Sequence, residues 1–231
     1  MRPQGRNGAA RRPQRGPVTQ LAPDLGHRPA FGRDDFLVGP GNEEAVGWID
    51  RFPAWPSYAL ALIGPAGCGK THLAQVFIAR TNAITIDQSN LQPQAITPHA
   101  AYVIEHDGSA LDERAMFHFL NAAKEQGAHI LLTAREAPAR WRIALPDLAS
   151  RLAALPVARI AAADDAMLEA VLVKMFADRQ LDVGPDVIAY ALKNVDRSFD
   201  AMRDLVSRAD AASLAGQRAV TVPLVKSLLS R

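Results

Sequence analysis

Tyr58 to Arg80 constrains the chain more than any other stretch. Tyr58 to Ile63 reads Y-A-L-A-L-I, a short apolar run of the kind that forms a buried parallel strand. Gly64 to Thr71 then reads G-P-A-G-C-G-K-T, and Thr71 to Arg80 sets Leu73, Ala74, Val76 and Phe77 at helical spacing. Strand, loop and helix in that order satisfy G-x-x-x-x-G-K-[ST] at every constrained position and in the setting that gives the pattern meaning. Gly64, Gly67 and Gly69 let backbone N–H groups close around phosphate oxygens, and the helix start near Lys70 adds its positive dipole end. Lys70 would place its ammonium on the β- and γ-phosphates, and the Thr71 hydroxyl would ligate Mg²⁺. The expected nucleotide-binding stretch is therefore Gly64, Pro65, Ala66, Gly67, Cys68, Gly69, Lys70, Thr71 and His72. Cys68 is the only cysteine, reads as a small filler, and rules out a disulfide framework.

The rest of the chain falls into place around this loop. Residues 1–19 are rich in Arg, Pro, Gly and Gln with little apolar content, and read as a disordered tail. Residues 20–32 read as a linker. From 33 to 162 apolar runs alternate with helical patterns: strands near 58–63, 83–86, 101–104, 130–133 and 157–160, and helices near 42–52, 71–80 and 112–125. That alternation argues an α/β fold, a parallel five-stranded sheet sandwiched by helices. From 163 to 231 only helical patterns remain, near 165–179, 185–194, 198–214 and 223–229, which argues a small all-α domain.

Charge limits the partners. The formal net charge is +2, but five arginines and no acid lie in the first twenty residues, leaving 21 basic and 24 acidic side chains over residues 21–231. A folded part that is not broadly basic argues against direct sequence-specific DNA binding. No run reaches the ~18 apolar residues of a membrane span and no hydrophobic signal core opens the chain, so a cytoplasmic protein is expected. The six histidines form no metal-ligand pattern, and Mg²⁺ accompanying the nucleotide is the one metal expected.

Several residues beyond the loop carry chemistry. In nucleotide hydrolases of this architecture an acid ending the third strand holds Mg²⁺ and the next acid orients water. Here the place offers Glu105, His106 and Asp107; Glu105 suits the metal, whereas a largely neutral His106 cannot accept as a carboxylate does. Nucleotide binding with weak or absent intrinsic hydrolysis is expected. Thr133, at the end of the fourth strand, is a candidate γ-phosphate sensor. Arg151 and Arg197 carry the rigid donor fork that stabilises phosphoryl-transfer charge, a surface ion pair being the alternative for each.

Five stretches together resemble the AAA+ module of the DnaA/Hda family: F-L-V-G-P-G-N at 36–42, G-P-A-G-C-G-K-T-H-L at 64–73, L-L-T-A-R at 131–135, L-P-D-L-A-S-R-L at 145–152 and D-R-S-F-D-A-M-R at 196–203. The resemblance covers nearly all of the chain from residue 33 onward, without the DNA-binding domain that follows in DnaA. It implies an adaptor that, with the DNA polymerase III sliding clamp (beta) loaded on DNA, stimulates hydrolysis of DnaA-bound ATP and so restrains replication initiation. Arg151 would be an arginine finger acting in trans, and Arg197 a sensor arginine on the protein's own nucleotide. Phe36, Leu37 and Val38 would form the adenine-side wall. The resident nucleotide would be ADP or ATP, with ADP favoured. Gln20, Leu21 and Leu25 would belong to a clamp-binding peptide, in which Pro23 stands where leucine is expected; that loss would remove about 1.5–3 kcal/mol of apolar burial. Oligomeric state stays open, as do two other readings: an autonomous AAA+ ATPase or loader, and a recruitment module without effect on hydrolysis.

Overall fold

In a computed structural model, residues 36–216 and 218–230 are described. The tail, the linker and the expected clamp peptide at Gln20, Leu21 and Leu25 lie outside these residues. The elements in chain order are α1 (Glu43–Asp50), β1 (Ala59–Ile63), α2 (Lys70–Thr81), β2 (Ile84–Asp87), β3 (Ala101–Glu105), α3 (Glu113–Glu125), β4 (His129–Ala134), α4 (Pro146–Ala153), β5 (Val157–Arg159), α5 (Asp165–Ala177), α6 (Pro185–Asn194), α7 (Phe199–Gly216) and α8 (Val222–Leu229). The loop between β2 and β3 carries two short 3-10 turns, at Gln88–Asn90 and Pro93–Ala95.

All five strands are parallel, in the order β2-β3-β4-β1-β5. Every residue of β1 is buried, as a strand covered on both faces must be, whereas the edge strand β2 leaves Ile84 46% exposed. Alternate residues of β1 feed two cores. Leu60 and Leu62 face a cluster with Ile49 of α1, Val76 and Phe77 of α2 and Trp55 of the loop before β1. Tyr102, Ile104, Ile130 and Leu132 face Met116, Phe119, Leu148 and Leu152 from α3 and α4. Because the strands are parallel, their C-terminal ends share one edge. There β1 delivers its loop between β4 and β5, where open α/β sheets bind ligands.

Local signals set the helix ends. Asp112 accepts from Ala115 N and Asp164 from Met167 N, capping α3 and α5. Gly127, at φ +62°, turns the chain after α3. α5 ends two residues before the expected Arg179, because Gln180 adopts φ +58° and Leu181 N returns to Phe176 O. Helices α5 to α8 enclose a core of their own, built on Leu168, Leu172, Phe176, Val187, Leu205, Val206 and Leu224.

Candidate functional site

The loop after β1 has the backbone its sequence demands. Gly67 and Gly69 sit at φ +70° and +98°, in the left-handed region that favours glycine. A Cβ at Gly64 would fall 2.3 Å from Ile160 O and 2.7 Å from Cys68 Sγ; one at Gly67 would fall 2.4 Å from Ser198 Cβ. Lys70 Nζ donates to Gly64 O (2.8 Å) and Pro65 O (2.7 Å), which holds the ammonium at the loop. α2 starts on Gly69 with no side-chain cap and no acid in its first turn, so its first N–H groups are left for an anion. Burial pushes the Cys68 thiol pKa up despite Lys70 nearby, in keeping with a filler. These features fit the phosphates of a nucleotide.

Gly67, Gly69, Lys70, Thr71 and His72 form one wall of a small cleft, and Phe199, Asp200 and Arg203 of α7 form the other. The walls touch: Phe199 N donates to Gly67 O at 3.3 Å. The Phe36 ring meets His72 edge-on, with centroids 5.3 Å apart. Asn42, buried, pins the 36–42 stretch by accepting from Gly39 N and donating to Leu37 O, each at 2.9 Å. That leaves Leu37 partly buried and Val38 exposed. Arg197 precedes α7, is exposed, and pairs with Asp165 rather than lining the cleft. Arg203, which sequence reasoning did not single out, does line it, with Nη1 3.0 Å from Asp200 Oδ1.

Two strands from the loop strand, with β4 between them, β3 ends at an exposed Glu105 in register with a buried Thr133 of β4. His106 N donates to Thr133 O (2.8 Å) and its ring lies 4.0 Å from Trp141. An amide oxygen only accepts, so the 2.6 Å contact to Gln88 Oε1 places the proton on His106 Nδ1. Gln88 Nε2 in turn donates to Asp107 Oδ1 (3.0 Å) and to Ser109 Oγ. Burial lowers the His106 pKa, with Asp107 opposing more weakly. Hydrogen bonds from Ser109 hold Asp107 below the usual carboxylate range. Thr71 and Glu105 thus offer exposed oxygen donors suited to a hard cation, while His106 and Asp107 are committed to one another's neighbours. Among the described residues no three His, Cys, Asp or Glu side chains gather as a metal site.

Arg151 stands apart from this cleft. It lies on α4 with its guanidinium 5.3 Å over the Phe117 ring of α3. Its Nε is buried without a hydrogen-bond partner, and among the described residues no carboxylate pairs with it.

A parallel sheet in this strand order, a phosphate-type loop after β1 and a helical lid touching that loop define a AAA+ protein. Residues 164–229 match the family model described as "Hda, lid domain". The chain is similar to domain III of the replication initiation protein DnaA from Thermotoga maritima, at 18% identity and TM-score 0.72, covering 88% of this chain and 97% of that one. It is similar to AMPPCP-bound DnaA from Aquifex aeolicus at 18% identity and TM-score 0.64, over 82% and 68% of the two chains. The RuvB Holliday junction branch migration motor of Thermotoga maritima follows at 14% identity and TM-score 0.57, over 74% and 61%. The helical part thus matches the Hda lid family, and the chain as a whole has the fold of the DnaA AAA+ module.

Proposed function

We propose that this protein is an adaptor that holds an adenine nucleotide, ADP in preference to ATP, and donates Arg151 to ATP bound by a DnaA partner. With a DNA-loaded sliding clamp it would stimulate that hydrolysis in the cytoplasm and so restrain replication initiation. The observation that carries the reading is Arg151: a half-buried guanidinium supported by Phe117, neutralised by no acid among the described residues and absent from the lining of its own chain's cleft. A fork kept free of carboxylates is available to charge developing elsewhere.

The chain's own cleft supports a retaining role. Lys70, the α2 N-terminus and Arg203 would hold the phosphates, Thr71 and Glu105 would hold Mg²⁺, and Thr133 would sense the terminal phosphate. When bound, the metal would neutralise phosphate charge. His106 fills the place of a water-orienting acid, and its Nδ1 proton is tied to Gln88. Residues 33–162 would form the nucleotide-binding domain and 163–231 the lid, with the clamp contact made by Gln20, Leu21 and Leu25. The exposed Glu105 beside a complete loop favours one second reading, an autonomous ATPase.

Conversion of DnaA-bound ATP to ADP, followed with and without DNA-loaded clamp, tests the proposal. Arg151→Ala is expected to keep nucleotide binding and lose stimulation; full stimulation by that variant would overturn the reading. Deleting residues 20–25 is expected to remove the clamp dependence. Brisk Lys70-dependent turnover by the protein alone would favour the autonomous enzyme.

A further inference from the structure

Residues 134–160 hold five arginines, Arg135, Arg140, Arg142, Arg151 and Arg159, against two acids, Glu136 and Asp147. None of the five forms an ion pair among the described residues, whereas Arg179, Arg197, Arg203 and Arg208 in the lid each face an aspartate within 4 Å. The strand register brings the unpaired ones together. Ile63 of β1 pairs with Ala134 on one side and Arg159 on the other, and Arg135 follows Ala134 directly. Trp141 packs on that same row, against Ala61, Ile63, Ala134 and Val157, and so carries Arg140 and Arg142 to it. Glu113, the acid nearest this segment on α3, is occupied: its carboxylate accepts from Ala144 N (2.9 Å) and Leu145 N (2.7 Å). Those bonds fix the turn between Arg142 and α4. Arg135, Arg140, Arg142 and Arg159 are all exposed.

We infer that Arg135, Arg140, Arg142 and Arg159 form a docking surface for a carboxylate-rich protein face, the one surrounding the nucleotide that Arg151 addresses. The inference rests on the adaptor reading above and extends it from one residue to a surface. Ala158 and Ile160 pack toward α1 and α2, so the intervening Arg159 lies on the opposite face of the sheet, the face that carries α4 and Arg151, and a partner that receives Arg151 in its nucleotide site would meet this edge as well. Four exposed guanidiniums that outnumber the two acids of their segment and pair with neither leave a net positive surface, and surface charge of one sign steers association and makes it salt-sensitive. A protein partner fits better than nucleic acid because Arg159 lies on the face of the sheet that carries Arg151, whose target on the adaptor reading is a protein-bound nucleotide.

The test uses the full chain, ATP-loaded DnaA and a duplex DNA probe, at about 50 and 200 mM salt, where screening differs markedly. The double variant Arg140→Glu/Arg142→Glu is expected to weaken association with DnaA about tenfold or more at low salt and to flatten its salt dependence. Arg140→Lys/Arg142→Lys is expected to keep most of the affinity. Since neither arginine makes an internal ion pair, the melting temperature should hold, which separates a lost surface from a lost fold. Unchanged DnaA affinity and salt slope in the charge-reversed variant would overturn the surface, even if Arg151→Ala abolishes stimulation. Loss of DNA-probe binding with DnaA association intact would overturn it in favour of nucleic acid. Stimulation retained by Arg151→Ala would remove the adaptor reading, while weakened association of the charge-reversed variant would still support the surface.

Discussion

Arg197 and Arg203 lie on either side of the first turn of α7, and their surroundings separate them. Arg197 is occupied by Asp165 at the surface; Arg203 lines the cleft against the loop after β1. Arg203→Ala is therefore expected to weaken nucleotide binding roughly fivefold, the low end for a charge-assisted contact that is partly exposed. Arg197→Ala should leave it within about twofold by the same reasoning for surface pairs; titration calorimetry with ADP separates the two. His129 gives a pH dependence. Burial first, and His99 second, depress its pKa below the ordinary histidine value. The unfolded chain then takes up the proton first as pH falls, so stability is full above about 6.5 and declines through the window down to the folded pKa. Chemical denaturation at pH 7 and 5.5 should show a smaller loss for His129→Gln than for the natural chain. The loop residues of the site were legible in the sequence because a phosphate loop is local: eight consecutive positions carry it. Arg203 and the Gln88–His106–Asp107 network were not, because their meaning depends on residues 18 or more positions away.

At the scale of elements, the sheet was readable from apolar runs and the helices from their caps and stops. One helix, α4, was not expected, because Pro146 opens an eight-residue run too short for periodicity to stand out; the other errors are at ends, where one left-handed residue such as Gln180 outweighs periodicity. What periodicity does not carry is the seat of α7 on the phosphate loop. A start at Phe199 would have put Arg203 one turn in, on the side of Phe199, and that spacing is the signal that was available. Gly67 is the contact on the other side. Its φ of +70° and the 2.4 Å approach to Ser198 Cβ leave no room for a side chain. Gly67→Ala is expected to lose about 1–2 kcal/mol to backbone strain alone. It should further displace α7 and weaken nucleotide binding more than it lowers the melting temperature.

For the molecule as a whole, the nucleotide site draws on both the sheet and the helical part, although each has a core of its own. A ligand bridging them should raise the stability of both. ADP at about a hundred times its Kd is expected to add about 2.7 kcal/mol, or about 5–10 °C in melting temperature for a chain of this size, and Lys70→Ala should erase the shift. Separate transitions in calorimetry, only one of them moved by ADP, would contradict a shared site. The direct bond from Phe199 N to Gly67 O has one more outcome. α7 runs for 18 residues from that point, about 27 Å of rigid rod at 1.5 Å per residue. Tilting the rod about 10° at its pivot would sweep its far end by about 5 Å, a displacement in the range by which packed elements switch state. A ligand that shifted the loop would therefore be felt on the outer surface of the lid, through a lever whose fulcrum is a single glycine carbonyl.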